Sequence, residues 1–249
     1  MTLSPVISTP EFWVLLGFIL FSFVTQTTIG FGGVVIALTL GAHLFTIQEL
    51  LIWLPPLSIA LSAYLLMRYH DHIDWGLLFK RIAPFLVAGM VLGQYLFYSL
   101  GSGDLKLIFG VCVAFLGVRE LWVLFHKGHD APKNRKLWPW SFMAGITQGL
   151  FASAGPVLVY GLAAQGIPKG TFRSTLAACW IAFNTPLMFS YYFAGNLTGQ
   201  SISEILVCLV VLVPAVLSGE WLHHNVNERK FAIAVYATLV FSGLALVFS

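Results

Sequence analysis

Two Thr-Gln pairs stand in apolar surroundings, where polar side chains must find partners. Thr25-Gln26 runs into Gly30-Phe31-Gly32-Gly33, and Thr147-Gln148 runs into Ala152-Ser153-Ala154-Gly155-Pro156. Gln26, Gly30 and Gly33 are spaced four and three apart, which is one face of a helix, and Gln148, Ala152 and Gly155 repeat that face. An amide in hydrocarbon is costly unless it is hydrogen-bonded. Two of them at matching places point to a shared polar pocket. The small residues also suit close helix packing, a role that substrate contact does not displace.

The chemistry such residues offer is the holding of an anion by neutral groups. A helix interrupted at glycines aims free N–H groups and a positive dipole end at its break. Gly32, Gly33 and Gly155 are expected to let the backbone approach an anion where a Cβ would intrude. Thr25, Thr147, Ser153 and Asn184 add neutral donors, Asn184 lying just before Pro186 and opposite Ser62 in the internal alignment described below. Arg173, near Lys169, either gathers anions at the pocket mouth or snorkels at the interface. The substrate-binding set is therefore Thr25, Gln26, Gly30, Gly32, Gly33, Thr147, Gln148, Ser153, Gly155, Asn184 and Arg173.

Other chemistries find less support. Ala152-Ser153-Ala154-Gly155 superficially resembles a nucleophile loop, but a buried serine needs a base. The seven histidines, from His43 to His224, all lie at or near predicted segment ends. No catalytic residue is assigned. Cys112, Cys179 and Cys208 have no ligand spacing and are odd in number, so no metal, cofactor or disulfide is expected. Glu204 and Glu220 are the acids nearest membrane depth in the second half, and intramembrane carboxylates are candidates for proton coupling. Arg119 and Glu120 are neighbours on a helix, about 100° apart, and are read as separate interfacial residues rather than a pair. No nucleotide-binding motif is recognisable. A net charge of +3 with no large basic patch offers nucleic acid no footprint.

The elements that must position these residues are membrane helices. Hydrophobic residues make up 58% of the chain and charged ones 9%, against about 25% charged in ordinary soluble domains. The runs 12–48, 50–67, 82–103, 137–168, 174–203, 205–219 and 231–249 contain no Asp, Glu, Lys or Arg. A bilayer span needs roughly 20 mostly apolar residues, and these runs lack the alternation of barrel strands. The fold class is an all-α polytopic membrane protein with about eight hydrophobic segments: 12–42, 47–68, 76–100, 105–125, 138–165, 172–194, 202–222 and 229–248. The first ten residues carry no Lys or Arg, so a cleaved signal peptide is not expected and the first segment is expected to stay.

Shifting the chain by 122 positions lays Thr25-Gln26 on Thr147-Gln148, Gly33 on Gly155, Leu54 on Leu176 and Ile59-Ala60 on Ile181-Ala182. Further on, Gly93-Gln94-Tyr95-Leu96 resembles Gly219-Glu220-Trp221-Leu222 at a shift of 126. The organisation read from this is a first membrane repeat, 1–126, a hydrophilic cytoplasmic linker, 127–137, and a second repeat, 138–249. Segments 12–42 and 138–165 are too long for one straight span and carry their small residues mid-segment. Pro156 has no N–H to give the carbonyl of Ala152. Each is expected to be a broken or re-entrant helix, tolerated at depth only inside protein or a wet cavity. Duplicated halves with matching interruptions point to a transporter with a midplane site. Lysine and arginine placement puts the central linker in the cytoplasm. The termini are then inside with eight crossings, or outside if the broken segments cross twice and the halves are inverted.

With these features the chain resembles the TauE/SafE sulfite exporter family, also described as toluenesulfonate-uptake-type permeases, over essentially its whole length. The family pattern in each half is Gly-x-Gly-Gly-Gly, then apolar residues and a Pro. Gly30-Phe31-Gly32-Gly33-Val34 matches all but the last glycine, whereas Ala152-Ser153-Ala154-Gly155-Pro156 keeps only Gly155 and the following Pro. The resemblance implies transport of sulfite, sulfoacetate or other organosulfonates, outward through a bacterial inner membrane. The expected partners are a small anion and the lipid bilayer, with a homodimer left open and no nucleic acid. An anion channel, a membrane scaffold or assembly factor, and an intramembrane serine protease are the competing readings.

Overall fold

The architecture is that of a computed structural model describing residues 5–126, 136–163, 165–225 and 228–248. Most of the linker 127–137 lies outside the described residues, as do the side chains of Lys169, His223 and His224. Ten α-helices and no strands occur among the described residues. They are α1 (Pro10–Ile29), α2 (Gly33–Gly41), α3 (Ile47–Tyr69), α4 (Ala83–Ser99) and α5 (Ser102–His126), then α6 (Trp138–Phe151), α7 (Gly155–Ala163), α8 (Lys169–Phe193), α9 (Gly199–Asn225) and α10 (Glu228–Val247). Eight hydrophobic segments thus become ten helices, because 12–42 and 138–165 each hold two.

Among the described residues, five helices are long and apolar enough to cross a bilayer: Pro10–Thr28, Ile47–Tyr69, Leu77–Ser99, Ser102–Phe125 and Gly199–Leu222. The 25-residue α8 is not among them because of its polar content. That content is turned inward: Ser174, Thr175 and Asn184 are all buried. α8 therefore sits inside the bundle against α3, where hydrogen-bond partners replace water.

Helices early in the chain pack against later ones. α1 packs against α9, and α4 against α6; α3 pairs with α8, and α5 with α10. Glycine sets the closeness. A Cβ on Gly89 or Gly93 of α4 would overlap the carbonyl of Phe142 or Ile146, and one on Gly145 or Gly149 of α6 the carbonyl of Leu86 or Met90. These two backbones touch, the arrangement by which small residues join helices in lipid, where apolar burial supplies little drive. On the other side only Gly219 of α9 approaches α1, with a Cβ placed there 2.5 Å from that of Thr27.

One charge pair departs from the sequence expectation. Arg119 and Glu120 do form an ion pair, and the Arg119 guanidinium carbon lies 3.4 Å from the centre of the Tyr160 ring. The 100° between adjacent positions is spanned by long, flexible side chains. Both are about four-fifths buried, so each gains from having the other.

Candidate functional site

The site is built where α1 gives way to α2 and α6 gives way to α7. α1 ends at Gly30, whose φ of 97° closes the helix with an N–H bond to the Gln26 carbonyl at 2.7 Å. Gly32, at φ 95°, opens α2. Both angles are left-handed and favour glycine. α6 ends differently, on Ala152 at φ 49°, the only positive-φ residue other than glycine among those described. Its N–H bonds the Gln148 carbonyl at 2.9 Å. α7 then starts at Gly155.

The two interruptions meet. A Cβ on Gly155 would stand 3.9 Å from the Gly32 nitrogen and from Phe31. Between them lies a cavity with about 20 Å³ of room for water centres, lined by Gln26, Gly32, Val34, Val35, Ser58, Ala152, Ser153, Ala154, Gly155, Trp180 and Asn184. One water centre needs roughly 10–15 Å³ on this measure. The starts of α2 and α7 both face the cavity, and their first N–H groups have no acceptor within their own helices.

A buried polar chain braces one wall. Gln148 Oε1 accepts from the Ala154 N–H at 3.0 Å, and its Nε2 donates to Asn184 Oδ1 at 2.7 Å. Asn184 Nδ2 in turn donates to Ser58 Oγ at 3.2 Å. Gln148 thus holds the α6–α7 turn in shape, while Asn184 of α8 and Ser58 of α3 carry the network across the bundle. Gln26, equally buried, fills the matching place beneath α2: a Cβ on Gly33 would overlap its Oε1.

The candidate residues separate into four groups. Gln26, Gly32, Ser153, Gly155 and Asn184 line the cavity, and Gln148 reaches it through Asn184 and Ala154. Gly33 is the floor for Gln26. Gly30 and Arg173 lie together on the outer side of the break, a Gly30 Cβ coming 3.5 Å from Arg173 Cγ. Arg173 Nη2 donates to the Thr27 carbonyl at 3.0 Å and its guanidinium carbon lies 5.5 Å from the Tyr69 ring centre. It clasps the end of α1, and its Nε is buried without a hydrogen bond. Thr25 and Thr147 turn away, each hydroxyl bonding a carbonyl of its own helix, Phe21 at 2.9 Å and Ala144 at 3.0 Å. The sequence reading missed Ser58 and Trp180. Both were legible in principle, one helical turn before Ser62 and Asn184, the pair that the 122-residue shift brings together.

The acids have other engagements. Glu204, 6% exposed, accepts from Trp53 Nε1 at 2.7 Å. Glu220 pairs with Arg68 at 3.1 Å. No cluster of three or more His, Cys, Asp or Glu suited to a metal occurs among the described residues.

A family model described as Sulfite exporter TauE/SafE matches residues 14–246 of the chain. No match was found among curated proteins or among solved structures.

Proposed function

The chain belongs to the Sulfite exporter TauE/SafE family, a family of membrane transporters, and from that membership we propose that it carries sulfite or a small organosulfonate such as sulfoacetate outward through a bacterial inner membrane. The observation that carries the reading is the meeting of two helix starts, α2 and α7, around one cavity whose lining contains two amides, two serines and no charge. Two nine-residue helices with their positive ends converging favour an anion there. Gln26, Ser153 and Asn184 supply further neutral donors. An oxyanion of four or more heavy atoms exceeds the present cavity, so loading the site requires α2 or α7 to shift at its glycine hinge.

We further read the chain as two repeats, 1–126 and 138–249, joined by the linker, with the site between them. The pairing supports this: α1 meets α9 while α6 meets α4, as a two-fold relation of the halves requires. A serine protease would need a base beside Ser153, and the lining of its cavity contains no histidine.

The test is flux into proteoliposomes with sulfite, sulfoacetate, taurine, sulfate and lactate offered separately. The proposal expects saturable movement of sulfite or an organosulfonate, weakened by Gln26→Ala and Asn184→Ala. Movement of lactate equal to that of every sulfur anion would overturn the substrate class. Non-saturating flux at channel rates would favour a pore.

A further inference from the structure

Helix α9 closes on α3 through Glu220. Its carboxylate accepts from the Tyr64 hydroxyl at 3.0 Å and from Arg68 Nη1 at 3.1 and 3.2 Å. The same Arg68 nitrogen donates to the Tyr64 hydroxyl at 3.0 Å. The seam lies beside the end of α1, since Thr28 donates to the Gly219 carbonyl at 3.2 Å.

The corresponding faces of α4 and α8 are built otherwise. Gly93 of α4 lies against Ile146 and Gly149, as Gly219 of α9 lies against Val24 and Thr27. The partners differ by the 122-residue shift and the glycines by the 126-residue shift. Gln94 therefore holds the place of Glu220, and Pro186, Leu187 and Ser190 hold those of Tyr64, Leu65 and Arg68. Neutral residues replace the ion pair, and the helices stand apart around an outward-open groove of about 270 Å³ lined by Met90, Gln94, Tyr98, Pro186, Leu187 and Ser190 among others. Both polar atoms of the Gln94 amide are buried without a hydrogen bond. The Tyr98 and Ser190 hydroxyls meet across the groove at 3.2 Å.

An unpaired amide at this depth is expensive, and it has a natural partner if the helices close. We propose that the α4–α8 crevice and the α3–α9 seam are the two gates of one carrier, which open in alternation: the Arg68–Glu220 pair holds the seam shut while the crevice stands open. When the seam parts, α4 closes on α8 and Gln94 meets Ser190, where Glu220 now meets Arg68. The crevice is placed to serve the candidate site. Pro186 is two residues beyond Asn184, and the Met90 carbonyl and Gln94 nitrogen press on Gly149, next to Gln148. The inference rests on the transport function and the repeats proposed above. It adds that charge stands at one gate only, so Arg68 and Glu220 set the balance between the two states.

The test is disulfide formation between Gln94→Cys and Ser190→Cys in a chain whose Cys112, Cys179 and Cys208 are replaced by alanine, embedded in lipid without any anion. Breaking the seam with Glu220→Gln, or independently with Arg68→Gln, should speed the cross-link about fivefold, the upper range for an ion pair at the surface. The oxidised protein should stop transporting and recover on reduction. Installing the missing pair, Gln94→Glu with Ser190→Arg, should also stop flux. Unchanged cross-linking in both seam variants, or undiminished flux through the oxidised protein, overturns the proposal. The cross-linking rate needs no substrate. Acceleration in a protein whose wild type moves no sulfite therefore supports the gates and counts against the substrate.

Discussion

Gly33 opens α2 and Gly155 opens α7, and the structure predicts different answers when each becomes alanine. At Gly33 the new Cβ overlaps Gln26 Oε1 and stands 2.9 Å from Gln26 Cβ and 3.1 Å from its Cδ. Favourable carbon contacts begin near 3.5 Å. Turning the amide away relieves the oxygen, but the Gln26 Cβ moves only with the backbone of α1. Gln26 is 2% exposed, so displacing it removes a buried polar group from its place, at a cost of about 1–3 kcal/mol. The gain from replacing a helical glycine by alanine, about 0.5–1 kcal/mol, offsets part of this. The net expectation is a loss of about 1–2 kcal/mol, seen as a Tm lower by roughly 2–8 °C for a chain of this size. Sulfite affinity, read by calorimetry in nanodiscs, should fall about tenfold, equivalent to about 1.4 kcal/mol. At Gly155 the nearest atoms to the new Cβ are 3.9 Å away, so Gly155→Ala should leave the stability within about 0.5 kcal/mol of wild type. Equal losses in the two variants, or a wild-type Gly33→Ala, would refute the placing of Gln26 and Gly33 at the site.

Gln148→Ala strands the Ala154 N–H and Asn184 together and should cost about 2–4 kcal/mol in thermal unfolding; a change below 0.5 kcal/mol would mean that the turn holds itself. Ala152→Gly removes an alanine from φ 49°, where the strain is about 1–2 kcal/mol. After the added freedom of the unfolded chain it should raise stability by up to about 1 kcal/mol, and a clear drop in Tm would contradict the strain. Arg173→Ala should slow sulfite uptake at about 0.01 M ionic strength and much less at about 1 M; an equal defect at both would assign Arg173 to the structure of the α1 end alone.

The helical membrane class was legible because long charge-free runs admit few other solutions. The inward course of α8 was not, since Arg173, Ser174, Thr175 and Asn184 look like a weak span until α3 is known to cover them. Spacing placed Gln26, Gly30 and Gly33 on one face, yet it says nothing of how the chain turns once the helix stops. Gly30 and Gly32 leave the helical region, so Gly30 ends beside Arg173 while Gly32 lines the cavity. Thr25 and Thr147 shared the surroundings of the glutamines, but a threonine in a helix reaches its own carbonyls more readily than a neighbour. Ser58 was overlooked because Ser62 matched Asn184 in register, whereas a hydrogen bond follows distance in space. Arg119 and Glu120 show the same limit, since the angle between two positions says little about long side chains.

The glycine seam between α4 and α6 has a bearing on how the chain is made. α6 seats against α4, and α1 seats against α9. During synthesis α4 must wait for α6, only a linker and one helix later, and then finds a backbone-to-backbone fit. α1 emerges first and waits for α9, nearly the whole length of the protein. Its buried threonines and Gln26 must spend that interval in lipid, in the translocation machinery or against temporary neighbours. A gene cut at the linker would therefore yield two products that are each unfinished, able to mature only by finding one another in the same bilayer.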